Sequence, residues 1–81
     1  MKGSEKQIAW AEDIKRNAFA IYSTEEAREE LRDEKPDLYE LLIRLESIED
    51  ASWFIEYRAW LAAYGLRKIN NMIERGRIIL P

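Results

Sequence analysis

The chain has 81 residues, 47% of them hydrophobic and 36% charged, with a net charge of −3. That length admits one domain with a modest core, and the balance is that of a globular protein rather than a disordered segment. The chain has no cysteine and no histidine, which excludes disulfides, thiolate or imidazole metal ligation, and nucleophilic catalysis through a Ser–His or Cys–His pair.

No apolar run approaches the roughly 20 residues that a membrane span requires, and the N-terminal Met1-Lys2-Gly3-Ser4-Glu5 has no signal-peptide pattern. A cytoplasmic location with no membrane association is expected. Charge is unevenly spread along the chain. Thr24–Asp37 holds seven acids and three bases, a local −4, whereas Leu66–Pro81 holds four bases and one acid, a local +3. The chain therefore has an acidic middle and a basic end.

Ser4 followed by Gln7 is a capping box, so a first helix is expected from there to about Tyr22. At 100° per residue, Gln7, Trp10, Ala11, Ile14, Ala18 and Ile21 share one face, which is expected to meet the core. Ile8 and Phe19 lie off that stripe, on a side otherwise filled by Glu12 and Lys15. Ser23 or Thr24 opens a second helix, with Glu25 and Glu26 in the first turn where the helix dipole favours anions. Only Ala27 and Leu31 give it an apolar side. Lys35-Pro36 interrupts, because proline disfavours α geometry at the residue before it. A third helix follows, with Leu38, Leu41, Leu42, Leu45 and Ile48 forming a core stripe.

Ser47-Ile48-Glu49-Asp50 resembles a capping box, so a fourth helix is expected to begin near Ser47. One face carries Trp53, Phe54, Tyr57, Trp60, Leu61 and Tyr64, and the other carries Ile55, Ala59, Ala62 and Leu66. A helix apolar on two sides is normally buried on two sides, which makes this segment the expected centre of the molecule. Gly65 ends or loosens it. Leu66, Ile69 and Ile73 continue an apolar stripe, and Gly76 is placed as a C-terminal cap. Residues 76–81 form an apolar tail ending Ile78-Ile79-Leu80-Pro81. The fold expected is an all-α compact bundle of four or five helices, a single helical domain over residues 1–81.

Chemical constellations are scarce. Three scattered glycines make no phosphate loop, and the carboxylate pairs Glu25/Glu29 and Glu26/Glu30 read as a solvated helix face. No catalytic residue, metal or cofactor is expected. Trp10, Trp53, Trp60, Tyr57 and Tyr64 are core by position, with a rim containing Trp10 or Trp60 as the alternative. Arg67, Lys68, Asn71 and Arg75 gather on one side of the last helix, either as a solvated face or as a strip that follows a phosphate backbone. Ile8, Phe19, Ile78, Ile79 and Leu80 are the large apolar residues that no core stripe accommodates. They either pack within the domain or form an interface.

Two segments, Ser4-Glu5-Lys6-Gln7-Ile8-Ala9-Trp10-Ala11-Glu12 with Ile14 and Ala51-Ser52-Trp53-Phe54-Ile55-Glu56 with Arg58, carry a resemblance. They resemble small helical proteins and domains of bacteria and their mobile elements that have no assigned activity. Phe54 and Tyr57 stand where that pattern often has a second Trp and then an Asn. The resemblance implies no catalytic residues and an accessory or interaction role. The function expected is a non-enzymatic protein-protein interaction module, binding a protein partner or itself through Ile8, Phe19, Ile78, Ile79 and Leu80. The alternative is a nucleic-acid-associated accessory protein using Arg67, Lys68 and Arg75.

Overall fold

A computed structural model describes residues 1–81, and the fold is all-α. Six α-helices follow in order: α1 Glu5–Ala18, α2 Glu25–Glu34, α3 Pro36–Glu46, α4 Ala51–Glu56, α5 Arg58–Ala63 and α6 Leu66–Glu74. A short 3₁₀ turn, Ala20–Tyr22, joins α1 to α2. Helix α1 packs against α4 and α5, α2 against α3, and α3 against α6. No helix is long and apolar enough to cross a membrane.

Local chemistry sets the helix starts. Ser4 caps α1 reciprocally, its hydroxyl accepting from the Gln7 N–H while the Gln7 amide accepts from the Ser4 N–H. Thr24 caps α2 by accepting from the Ala27 N–H at 3.2 Å. Pro36 occupies the first turn of α3, where its missing donor costs nothing. A bidentate Arg28–Glu46 pair, one arm at 2.8 Å, ties α2 to the end of α3. Hydrogen bonding to Glu46 chiefly raises the Arg28 pKa, with Coulombic help from Glu46 and Tyr39 against a smaller desolvation cost. Because the folded value is raised, the linked stabilisation is complete through neutral pH. It is lost only above the ordinary arginine range.

The start of the fourth helix differs from expectation. Ser47 ends α3, its hydroxyl donating to the Arg44 carbonyl, and Asp50 caps α4 by accepting from the Ser52 N–H and hydroxyl. Ile48 is buried in the connection and extends the α3 stripe beyond the helix. Backbone pairing explains the delay. The Lys2 N–H donates to the Glu49 carbonyl and the Ala51 N–H donates to the Lys2 carbonyl, holding Asp50 extended just ahead of the helix.

The expected central helix is also broken in two. At Tyr57 the backbone opens to φ −100°, ψ 15°, although Tyr57 still bonds back to the Trp53 carbonyl and forward to the Leu61 N–H. At the break the Ile55 carbonyl accepts from the Arg58 guanidinium at 2.5 Å. Trp53, Phe54 and Leu61 face the core, whereas Ala59 and Ala62 are exposed. The segment is buried on one side rather than two.

Sixteen residues are buried, all of them apolar, and no buried side-chain polar atom lacks a partner. Phe54, Leu42, Leu45, Leu61, Ile69 and Ile78 are the largest of the fully buried side chains. Gly76, at φ +73°, ends α6, letting the Arg77 and Ile78 N–H groups both donate to the Met72 carbonyl. That turn drops Ile78 into the core. A Cβ at Gly76 would meet nothing within 4 Å, so Gly76→Ala should cost about 1–2 kcal/mol from backbone conformation alone. Urea denaturation measures this loss, and an unchanged midpoint would show that the turn does not need its left-handed residue.

Candidate functional site

The five apolar residues expected to form an interaction surface do not form one. Phe19 is 5% exposed and Ile78 1%, so both belong to the core, and Ile8 and Leu80 are half-buried against it. Only Ile79 stands out, at 69% exposed. Its backbone is nevertheless held, its carbonyl accepting from the Trp53 indole N–H at 2.8 Å and its N–H donating to the Tyr57 hydroxyl at 3.1 Å. The tail is thereby stitched onto α4. The physical cause of the correction at Phe19 is the rotation of α1. The side that meets the core carries Ile8, Ala11, Ile14, Ala18 and Phe19, with Lys15 half-buried among them. A lysine reaches solvent along its aliphatic stem and so belongs on a buried stripe more easily than its charge suggests.

The same rotation turns Trp10 outward, contrary to its expected place on the core stripe. It is 47% exposed. Trp10, Ile14 and Ala18 of α1 and Ala59 and Ala62 of α5 line an open groove of about 530 Å³, with Asp13, Asn17 and Arg58 among its polar groups. Arg58 covers one part of the Trp10 ring, its guanidinium carbon 5.0 Å from the ring centroid. Arg58 also bonds to the Ile55 carbonyl, which holds the guanidinium beside this ring. Trp10 is the one aromatic residue in the groove lining.

A second concavity lies at the basic end. Tyr64, Lys68, Asn71, Met72, Arg75 and Arg77 line a pocket of about 200 Å³. Of the three expected bases, Lys68 and Arg75 are brought together there, whereas Arg67 is exposed on α6 outside the pocket lining. Arg77 takes its place, delivered by the turn at Gly76. Glu25, Glu26, Glu29 and Glu30 are all exposed. No group of three or more carboxylates gathers where it could hold a metal ion.

Compared with family models, curated proteins and solved structures, the chain has no match in any of the three.

Proposed function

We propose that this protein is a small non-enzymatic protein-protein interaction module whose docking surface is the groove between α1 and α5, and whose occupant is a second copy of the chain. One observation carries the reading: the same face presents both a knob and a hole. Trp10 projects, 47% exposed, beside a floor of small side chains, Ala18, Ala59 and Ala62. A two-fold contact needs such a self-complementary patch, because each residue that inserts must find its receptor on an identical surface. Asp13 and Arg58 border the same groove, Asp13 paired with Arg16 at 3.1 Å and Arg58 bonded to the Ile55 carbonyl, so its rim is polar and charged. Tryptophan and arginine are also the residue types that most often anchor interfaces.

A stable standard interface buries about 800 Å² per partner, a large share of the 5564 Å² surface of this chain. The groove is lined by eight residues, well short of the roughly 20–30 a side of such an interface, so a weak, transient dimer is expected. Sedimentation equilibrium from micromolar to millimolar concentration should give a mass rising toward two chains. Trp10→Glu and Ala59→Glu, both at exposed positions, should each abolish the rise without changing the thermal midpoint by more than a few degrees. A wild-type chain that stays monomeric at millimolar concentration overturns the reading.

A further inference from the structure

We infer that the pocket at the end of α6 is an oxyanion site for a phosphate group, held by Lys68, Arg75 and Arg77 with Asn71 and Tyr64 as neutral donors. This site is separate from the α1–α5 groove and independent of the dimer. Three cations converge on one cavity of about 200 Å³ whose lining contains no carboxylate. None of the ion pairs of the chain engages Lys68, Arg75 or Arg77. Nor does any side-chain hydrogen bond. The nearest acid in sequence, Glu74, accepts from the Asn70 amide instead, at 3.4 Å.

Helix polarity alone does not explain the arrangement. Cations are favoured at a helix C-terminus because carbonyls there lack partners. Here the Asn71, Met72 and Ile73 carbonyls already accept from the N–H groups of Arg75, Arg77, Ile78 and Gly76. The arginine forks therefore keep their donors for a ligand. Lys68 lies over the Tyr64 ring, 5.6 Å from its centroid, which places the ammonium at the pocket rather than free in solvent. Guanidinium groups match the oxygen spacing of phosphate in two-point contacts, and an ammonium adds a point charge. Bases reach the pocket from both sides of the Gly76 turn, so they gather around one phosphate position.

The shared chemistry is a phosphate oxyanion, and its source is either a free phosphate or the backbone of a single-stranded nucleic acid. An NMR titration of the full chain at constant ionic strength separates them, with inorganic phosphate in one arm and a short oligothymidylate in the other. Saturable shifts at Tyr64, Lys68, Asn71, Arg75 and Arg77 are expected. Saturation by phosphate assigns the site to free phosphate, and saturation by the oligonucleotide alone assigns it to a backbone. The double variant Lys68→Gln/Arg75→Gln, exposed at both positions, should weaken binding at least tenfold with the fold intact. Arg67→Gln, outside the pocket, should leave binding within twofold. The proposal is overturned if neither probe saturates, if chloride produces the same shifts, or if Arg67→Gln weakens binding as much as Arg75→Gln does.

Discussion

Replacement of Trp53 by alanine is expected to cost about 3–5 kcal/mol, the range for deleting a buried large aromatic, and to bring the domain close to unfolding. Domains of this size hold only about 5–10 kcal/mol in total. Trp53 is 4% exposed, meets the edge of Phe54 with ring centroids 5.1 Å apart, and lies 5.2 Å from the Tyr57 ring. Its indole N–H also holds the Ile79 carbonyl, so the same side chain joins α4 to the tail. Trp53→Phe keeps most of the apolar burial and removes that bond, and should cost about 1–2 kcal/mol, mostly the hydrogen bond and a small void. Chemical denaturation of the two variants measures both terms. A loss below about 1 kcal/mol for Trp53→Ala would mean that the aromatic cluster is not the structural centre.

Phe19→Ala should be nearly as damaging, at about 3–4 kcal/mol, although the pattern of α1 places this residue on a charged side. It is 5% exposed and closes the junction of α1 with the 3₁₀ turn. Alanine is a cleaner test than a charged residue here. Phe19 borders a concavity lined by Glu12, Lys15, Arg16, Arg28 and Glu46, and a glutamate at position 19 would add charge effects there to the loss of packing. The measurement is the denaturation midpoint at an unchanged slope. A variant as stable as the wild type would put Phe19 on the surface and restore it as a candidate contact residue.

How much of this was legible in the sequence depended on how unambiguous each stripe was. In α3, Leu38, Leu41, Leu42, Leu45 and Ile48 recur at helical spacing with no competing apolar face, and all five are buried. The α6 stripe held at Leu66 and Ile69, but Met72 rather than Ile73 is buried at its end, with Ile73 half-buried against the core. In α1 there were two candidate faces. Trp10, Ile14 and Ile21 carry more apolar mass than Ile8 and Phe19, and periodicity favoured the heavier face. Packing used parts of both: Ala11 of the expected stripe is buried and Ile14 and Ala18 pack on the core, but so do Ile8 and Phe19, while Trp10 and Ile21, the latter in the 3₁₀ turn, stay 47% and 74% exposed. Hydrophobic periodicity records which residues share a face, not which face a neighbouring helix reaches.

The candidate surfaces were less legible for the same reason. The groove lies between α1 and α5, and the backbone opens ahead of α5 at Tyr57, where neither glycine nor proline announces a break. The basic pocket was half visible. Lys68, Asn71 and Arg75 align on one helix face by spacing alone. Tyr64 falls at the same helical spacing, although the helix breaks at Tyr64 and Gly65, whereas Arg77 joins them only through the left-handed turn at Gly76.

The most direct test of the α1–α5 groove as a self-association surface is the concentration dependence of the three tryptophan indole N–H signals. Dilution from millimolar to micromolar should shift the Trp10 indole and the backbone amides of Ala59 and Ala62. The Trp53 indole, bonded to the Ile79 carbonyl within the chain, should stay in place. Spectra that do not change on dilution, or changes that gather at α2 or α6 while Trp10 is unmoved, would contradict the groove as the place where two chains meet.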